Sequence, residues 1–473
     1  MVLKILGAIA SLLLPSKYAA HFFIGIASLI ALHTLSQGRR TNRERDLHGR
    51  VILVTGGFTS LGLTILQTLA ERGAHIIALT PDPIDSPNVT ILISLLRTTT
   101  SNGQIYAEQC DLNSPSSIRS FCTRFLTGQD QRLDAILFAH EYQHIGPLQF
   151  FSNRRESNDA QAREANSLAT FLIITLLLPV LLVAPSDRDI RIINLVNPFY
   201  AAAIGKGFHA RFGSNWTGGV SRAPLLLAEG TRALRTVVLT RHLQRVLDAL
   251  PSAQVPKTEE GASTIPVISA KMQKSNIVSV SVCPGISRVD TMASMLNADW
   301  TLTMGADTFG AFAYLLLQPF LRVLTKSPTA AMQSVLHALF LPTPFKGLGH
   351  VKFTPPGSTT EDGHTADTPV PQTSEEVLKP GSLYRECAVV PLRVPLPVEA
   401  TQATDSQKRT PETQLGGEAP KEVLNVPDDG ELGGELTGRL VWEAYEEALK
   451  SWEKADHGRQ KEDISPSDSA DVS

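Results

Sequence analysis

The feature that most constrains this sequence is a short apolar run that ends in a glycine-rich turn and leads into a helix. Residues 51–54 read VILV, TGGFTSLG follows at 55–62, and residues 61–71 have the apolar spacing of a helix. A second apolar run, HIIAL, comes directly after it at 75–79. A glycine turn between a strand and a helix lets backbone N–H groups approach a phosphate at the helix N-terminus. The pattern predicts a parallel sheet built to hold a nucleotide.

The same alternation of apolar runs and helical patterns continues from residue 48 to residue 350. Strands are predicted at 51–54, 75–79, 134–139, 190–196 and 277–283, and helices at 61–71, 166–182 and 225–250. Alternation of this kind is typical of βαβ units. We therefore expect an α/β domain over 48–350, with a Rossmann-type doubly wound parallel sheet covered by helices on both faces.

The N-terminus carries an apolar segment, 18–35, that is long enough to cross a membrane. It is followed by Arg39, Arg40, Arg43 and Arg45, and basic residues beside a span favour the cytoplasmic side. We expect residues 1–38 to be a single-pass anchor surrounded by membrane lipid, with the domain facing the cytosol and the endoplasmic reticulum as the organelle.

Two alternatives for the N-terminus remain open. One is a cleaved secretory signal with its apolar core at 5–14, in which case Asn88 and Asn215 would be glycosylation acceptors. The other is an ordinary buried helix of the core.

The composition changes after residue 352, where Pro, Thr, Ser, Gly and Glu dominate. This predicts a mostly disordered linker over 355–436, with a possible late strand at 383–394. A helix is predicted over 437–456 and a disordered tail over 457–473. The helix has Val441, Tyr445, Ala448 and Trp452 on one face. This stripe either packs back onto the domain or docks onto a protein partner.

Charge and cysteine content exclude other classes of protein. The net charge is -3 and no dense basic stripe is present, so we expect no nucleic-acid binding. The four cysteines are far apart and form no CxxC pair. A zinc site and a disulfide framework are therefore not predicted.

The glycine turn resembles the TGxxxGxG turn of the short-chain dehydrogenase/reductase superfamily, with Ser60 in place of the middle glycine. Later motifs occur in that superfamily's order: Asp111 and Leu112 after the third strand, Asn166 at the helix Asn of the catalytic tetrad, and Pro284-Gly285 after the sixth strand. The chain also resembles a fungal branch of unknown function that joins a membrane segment to this domain.

The resemblance implies a cofactor, NAD or NADP, and a homodimer formed through the two long helices that flank the fifth strand. Asp82, near the end of the second strand, could bond the ribose of NAD, and no Arg nearby marks NADP. The implied cofactor-binding residues are Thr55, Gly56, Ser60, Leu61, Gly62, Asp82, Asp111, Leu112, Pro284 and Gly285.

The catalytic Tyr and Lys that the resemblance implies are not found. They must be spaced YxxxK, because residues i and i+4 share a helix face. Leu227 and Thr231 stand at the aligned positions, and no tyrosine occurs between Tyr200 and Tyr314. The superfamily's Ser position holds Asn197.

Two further departures lie near the expected nicotinamide position. The stretch 138–141 reads Phe-Ala-His-Glu where the superfamily has the small residues of NNAG, and Val289 stands where a Thr is expected. His140 and His209 are candidate substitute acids, since histidine titrates near neutral pH. His140 could also form an acid/base pair with Glu141.

The segment 300–341 is strongly apolar and corresponds to the superfamily's substrate lid. Pro319 and Pro328 are expected to break it into short helices. Two interpretations of this segment remain open. It forms a mouth that faces the bilayer, as in relatives that handle retinoids, sterols or acyl chains, or it packs in the core in the ordinary way.

Two functions follow for the whole protein. One is a pseudoenzyme that acts as a sensor or scaffold, and the other is an NAD(P)-dependent reductase of a lipid-like carbonyl with an atypical acid.

Overall fold

The computed structural model describes residues 16–128, 132–143, 145–148, 156–185, 188–204, 208–212, 224–254, 275–298, 308–343, 376–395, 426 and 428–464. Several expectations fall outside these residues. They are the signal core at 5–14, Asn215, most of the linker at 355–436 and the end of the tail.

The centre of the protein is an eight-stranded sheet in the order β3-β2-β1-β4-β5-β6-β7-β8. The strands are Val51–Thr55, His75–Thr80, Ile105–Gln109, Ala135–Phe138, Ile190–Leu195, Ile277–Cys283, Leu383–Arg385 and Ala388–Val390. Neighbouring strands are parallel except β7 and β8. The strands predicted between residues 51 and 283 are confirmed to within one or two residues.

The structure describes ten α-helices, and most of them pack on the two faces of this sheet. They are α1 (Ser16–Gln37), α2 (Ser60–Glu71), α3 (Pro87–Thr100), α4 (Pro115–Thr127), α5 (His140–Gln143), α6 (Glu156–Val183), α7 (Leu225–Gln254), α8 (Thr308–Leu324), α9 (Pro328–Phe340) and α10 (Gly434–Ile464). Alternate residues of β1 belong to opposite cores: Val51 and Leu53 pack with α4, α6, α7 and α10, while Ile52 and Val54 pack with α2, α3 and α9. Burial on both faces explains why the strands are almost continuously apolar. The expected Rossmann-type fold is confirmed.

The strand order reverses at β1, which lies between β2 and β4. At the carboxyl end of this pair, Thr55 is in register with Phe138. In open α/β sheets a ligand binds in the crevice outside the carboxyl ends at such a reversal. The topology therefore places a candidate site above Thr55, at the start of the glycine turn.

Two described helices are long and apolar enough to cross a membrane. In α6 the apolar stretch Gln161–Val183 is 61% buried inside the protein, so α6 is a core helix. In α1 the stretch Ala20–Gln37 is 0% buried. The alternative of a buried core helix for the N-terminal segment is therefore wrong, because α1 lies outside the core.

The C-terminal elements differ in detail from the sequence predictions. The island at 383–394 forms the hairpin β7–β8 instead of one strand, because Glu386 and Cys387 both adopt positive φ (53° and 55°) and reverse the chain. The predicted helix at 437–456 is confirmed within the longer α10. Its four-residue stripe is buried against α4, α6 and α7, so α10 packs back onto the domain.

The expectation that Pro319 breaks the apolar segment is wrong. Helix α8 continues through Pro319, whereas Pro328 does begin a new helix, α9. A proline inside a helix removes one backbone N–H donor. The loss of that single hydrogen bond does not end this 17-residue helix.

Candidate nucleotide-binding site

The glycine-rich turn has the shape that its sequence predicts. Thr59 caps α2, and its hydroxyl accepts a hydrogen bond from the Gly62 N–H at 3.1 Å. A Cβ atom on Gly62 would lie 2.2 Å from the carbonyl oxygen of Gly56, so the turn requires glycine there. Ser60, in place of the superfamily's middle glycine, is simply the first residue of the helix and is half-buried.

The anion position of this turn is taken by a side chain of the protein itself. The backbone N–H of Leu61, in the first turn of α2, donates to Oδ1 of Asp290 at 3.2 Å. Asp290 lies on the π-helical segment Arg288–Ala293 that follows β6, and it is 7% exposed. Its other oxygen accepts from the Ser287 hydroxyl at 2.8 Å. Free N–H groups and the helix dipole favour negative charge at this point, and the Asp290 carboxylate supplies it.

Helix α5 closes the turn from the side of β4. The side-chain amide of Gln143 donates to the Thr59 hydroxyl, and the phenol of Tyr142 donates to the carbonyl oxygen of Gly285 at 2.8 Å. Tyr142 is fully buried, and burial raises the pKa of its phenol above the usual range. Tyr142, Gln143 and Asp290 were not among the predicted site residues, because none belongs to a motif that points to the turn.

The carbonyl groups of the predicted turn after β6 are also hydrogen-bonded to side chains of the protein. Pro284 and Gly285 are buried at the end of β6, and the Lys326 ammonium donates to the Pro284 carbonyl oxygen at 3.0 Å. Lys326 is itself 5% exposed and pairs with Glu386 at 2.5 Å. Both carbonyl groups of this turn are therefore bonded within the protein.

The adenine end is more open. Asp111 and Leu112 follow β3 and are half-buried, and Asp111 Oδ1 accepts from the Asn113 N–H at 2.9 Å in a local turn. Asp82 is exposed after β2, with its N–H bonded to the Thr80 hydroxyl. The structure thus brings the ends of β2 and β3 to the same edge as the glycine turn, as the resemblance predicts.

His140 is placed next to the turn but has no free nitrogen. Its Nδ1 lies 2.6 Å from the Thr55 hydroxyl, and its Nε2 lies 2.9 Å from the Asn166 carbonyl oxygen. A carbonyl only accepts, so Nε2 carries the proton and the Thr55 hydroxyl donates to Nδ1. Burial lowers the pKa of His140 to about 4. The imidazole therefore links β1 to α6 as a neutral group.

Glu141 points away from any pair with His140. Its two carboxylate oxygens accept from the Thr170 hydroxyl at 2.6 Å and from the Thr236 hydroxyl at 2.8 Å. The side chain is 4% exposed, and burial raises the pKa of its carboxyl group. The expected acid/base pair is not formed, because the two side chains bond to other groups: Glu141 accepts from Thr170 and Thr236, and His140 donates to the Asn166 carbonyl oxygen.

Asn197, at the superfamily's Ser position, is a capping residue. Its Oδ1 accepts from the Phe199 N–H at 3.0 Å, which starts a 3-10 helix over Pro198–Ala203. Its Nδ2 donates to the Glu229 carbonyl oxygen on α7 at 3.2 Å. Asn197 is 2% exposed. One end of its amide therefore caps the 3-10 helix and the other joins the end of β5 to α7.

The 3-10 helix fills the space between β5 and α7. A Cβ atom on Gly230 of α7 would lie 2.5 Å from the Phe199 carbonyl oxygen. Leu227 and Thr231, at the aligned Tyr and Lys positions, are half-buried, and the Thr231 hydroxyl bonds back to the Leu227 carbonyl at 2.8 Å. The helix face that should carry the acid therefore carries none.

The remaining candidates do not converge on this place. His209 is exposed to solvent, and it forms no hydrogen bond or ion pair among the described residues. Asn166 is buried on α6, and its backbone carbonyl accepts from His140. No group of three or more His, Cys, Asp or Glu side chains able to hold a metal ion occurs in the described part of the chain.

At the expected adenine end Asp82 is exposed and Asp111 is half-buried, whereas the expected diphosphate position is occupied by the Asp290 carboxylate. Two unit charges 4 Å apart repel each other by roughly 4 kcal/mol at an effective dielectric constant of about 20. A diphosphate on the Leu61 N–H would meet the Asp290 carboxylate at that range. A dinucleotide therefore does not fit this turn unless Asp290 moves away.

Comparison with known proteins agrees with the fold and the motif order. Residues 50–148 match the model of the KR domain family. An uncharacterized oxidoreductase of Schizosaccharomyces pombe is 26% identical over 322 residues, which cover 67% of this chain and 77% of that protein. Retinol dehydrogenase 12 of Mus musculus is 27% identical over 203 residues, covering 43% of this chain and 58% of the relative.

A crystal structure of a short chain dehydrogenase from Shigella flexneri in complex with NADP is 17% identical. It matches with a TM-score of 0.38 and covers 61% of this chain and 93% of its own. Three observations agree on the type of fold. They are the matches in amino-acid sequence, the strand order of the sheet and the order of the motifs from Gly56 to Gly285. The chain has the Rossmann-type fold and the motif order of the short-chain dehydrogenase/reductase superfamily.

Proposed function

We propose that this protein is a membrane-anchored member of the superfamily that does not carry out hydride transfer, and that it uses its dinucleotide fold as a sensor or scaffold module. One observation carries the proposal. The Asp290 carboxylate accepts a hydrogen bond from the Leu61 N–H, the donor to which a cofactor diphosphate would bind. Fold alone does not determine activity.

The nicotinamide end supports the same proposal. His140, Glu141 and Asn197 are each at most 4% exposed, and each uses its polar atoms in internal hydrogen bonds. A general acid must lie within hydrogen-bond reach of the substrate oxygen and exchange a proton with it. None of these three groups has a free polar atom to offer, and the YxxxK pair is missing from the sequence.

The test is a calorimetric titration of the full chain in lipid nanodiscs with NADH, NADPH and AMP. AMP carries the adenine end without the diphosphate and nicotinamide. We expect NADH and NADPH to bind no more tightly than AMP. Binding of either dinucleotide at least tenfold tighter than AMP, about 1.4 kcal/mol, would contradict the proposal.

A second candidate is an NAD(P)-dependent reductase of a lipid-like carbonyl. It is favoured by the exposed apolar helix α8, which packs through Tyr314 and Leu321 against the segment after Asp290, and by the match to a retinol dehydrogenase. Turnover of NADH or NADPH with a long-chain aldehyde or a retinoid aldehyde would establish it. In that case Asp290 would have to leave the turn during the reaction.

We place the domain on the cytosolic face of the endoplasmic reticulum, anchored by α1. The basic residues that follow α1 support this orientation. Asn88, within an Asn-Val-Thr acceptor sequence, is exposed at the start of α3. An endoglycosidase-sensitive mass shift that the variant Asn88→Gln abolishes would place the domain in the lumen instead.

A further inference from the structure

Helix α8 presents an apolar face that is largely exposed to solvent. Phe309, Phe312, Leu315, Leu316 and Phe320 are all between 62% and 66% exposed. Phe309, Phe312, Leu316 and Phe320 recur at intervals of three and four residues, and Leu315 is next to Leu316, so all five lie on one side of the helix. Exposed apolar patches of this kind mark surfaces that contact a protein or a membrane.

The C-terminal end of α8 is hydrogen-bonded to the C-terminal end of α1. The Ser36 hydroxyl donates to the Val323 carbonyl oxygen at 2.6 Å, and the Gln37 amide donates to the Thr325 carbonyl oxygen at 3.1 Å. The side-chain oxygen Oε1 of Gln37 accepts from the N–H and the hydroxyl of Ser327, at 3.1 and 3.0 Å. The last turn of α8 therefore sits at the same level as the last turn of α1.

That level corresponds to the edge of a bilayer if α1 spans it. The hydrocarbon core is about 30 Å thick and needs about 20 helical residues, and α1 has 22 residues ending at Gln37. Arg39 and Arg40, just beyond α1, and Arg322, in the last turn of α8, are exposed at the joined ends. Basic side chains at this depth reach the phosphate groups of lipids.

The composition of the two helices fits lipid better than a protein partner with a polar rim. Neither α1 nor α8 contains an acidic residue, and Arg322 is the single charged residue of α8. We propose that the exposed face of α8 inserts into the bilayer leaflet next to α1, with lipid acyl chains covering Phe309, Phe312, Leu316 and Phe320. This inference rests on the proposed anchoring by α1.

Insertion would also hold the segment that closes the nucleotide site. On the other side of α8, Tyr314 and Leu321 pack with Leu296 and Ala298, which follow Asp290 in the chain. If the bilayer holds α8 in place, α8 in turn holds in place the segment that packs on it and carries Asp290.

The test is the immersion depth of spin labels on the full chain, reconstituted in phosphatidylcholine vesicles. Labels are placed by Leu316→Cys on α8, by Leu29→Cys on α1 and by Leu95→Cys on α3, all in a Cys387→Ser background. The other three cysteines are buried. Leu29 and Leu95 are 55% and 56% exposed, so the α3 label is a matched apolar control. Oxygen, which concentrates among acyl chains, and a water-soluble nickel chelate compete to relax each label.

We expect the labels on α8 and α1 to be relaxed mainly by oxygen and the label on α3 mainly by the nickel chelate. A label at position 316 in water while position 29 is in lipid would overturn the inference and leave the anchoring intact. Labels at both positions in water would overturn both. A label at 316 protected from both relaxants would also overturn the inference and would indicate a second protein copy on this face.

Discussion

The Asp290 carboxylate accepts a hydrogen bond from the backbone N–H of Leu61 at 3.2 Å, across 229 residues of sequence. This contact joins the segment after the sixth strand to the first turn of the glycine-loop helix. It satisfies a donor that an apolar residue could not satisfy, and it places negative charge where the helix dipole is positive. The protein thus supplies its own anion at its glycine-rich turn.

Asp290→Asn is expected to raise the affinity for NADH by at least tenfold. The change removes the charge that repels a diphosphate and keeps the size of the side chain. The measurement is calorimetry on the full chain in nanodiscs. Glu71→Gln is the matched control, because it removes the same charge at the other end of the same helix. Equal affinities in all three proteins would mean that Asp290 does not control access to the turn.

His140 is expected to make the protein less stable as the pH falls. Its folded-state pKa is about 4, against 6.5 for the free side chain, because burial disfavours the imidazolium. Between these values the unfolded chain binds a proton that the folded chain does not. The free energy of unfolding therefore falls as the pH drops from about 6.5 to about 4, by about 3 kcal/mol from this residue.

Denaturant unfolding between pH 7 and pH 5 tests this prediction. His140→Asn should flatten the dependence of the unfolding free energy on pH, while His209→Asn, at an exposed position, should leave it unchanged. Some dependence should remain in both variants, because burial also lowers the pKa of His242 to about 4. A full slope in His140→Asn would show that His140 titrates normally in the folded protein.

The sheet could be predicted from the sequence because its strands are buried on both faces. Five apolar runs and a glycine turn carry that information locally, and the observed strand order follows from the connections between parallel strands. The positions of Pro284 and Gly285 could be predicted for the same reason, since they directly follow β6. Asp111 is expected from the resemblance alone, because β3 is not among the predicted strands.

The roles of the polar residues around the turn could not be predicted, because they depend on contacts between distant parts of the chain. His140 looked like a substitute acid, yet its two nitrogens are bonded to Thr55 and to the Asn166 carbonyl. Asn197 looked like a replacement for a catalytic Ser, yet it caps a 3-10 helix that no local pattern marked. In both cases the sequence gives the residue type, and the packing decides which atoms remain free.

Gly230→Ala is expected to destabilise the protein, against the usual effect of this substitution in a helix. Alanine is favoured over glycine inside a helix by about 1 kcal/mol. At position 230, however, the new Cβ atom would lie 2.5 Å from the Phe199 carbonyl oxygen, and overpacking costs about 1–3 kcal/mol.

Gly458→Ala is the control for this prediction, because a Cβ atom there meets nothing within 4 Å. Denaturant unfolding should show Gly458→Ala as stable as the parent or more stable. A gain in stability in Gly230→Ala would show that the 3-10 helix does not fill the space beside α7.

Tyr445→Ala is expected to lower the free energy of unfolding by about 3–5 kcal/mol. Tyr445, on the C-terminal helix α10, is 0% exposed, and its ring centre lies 5.3 Å from that of Phe171 and 4.8 Å from that of Phe212. Its hydroxyl is 3.4 Å from the Thr236 hydroxyl, a long contact, so Tyr445→Phe should cost at most about 1 kcal/mol. Glu447→Ala, at an exposed position of the same helix, should have almost no effect.

The same variant tests what α10 does for the surface beneath it. Helix α10 lies across α6 and α7, the two long helices through which the superfamily resemblance predicts pairing of two chains. Pairing through that surface would require α10 to leave it. Light scattering in detergent should therefore report a monomer for the parent and for Glu447→Ala, and self-association for Tyr445→Ala as the apolar surface around Phe171 becomes exposed. A dimeric parent with α10 still protected from proteolysis would show that two chains pair elsewhere.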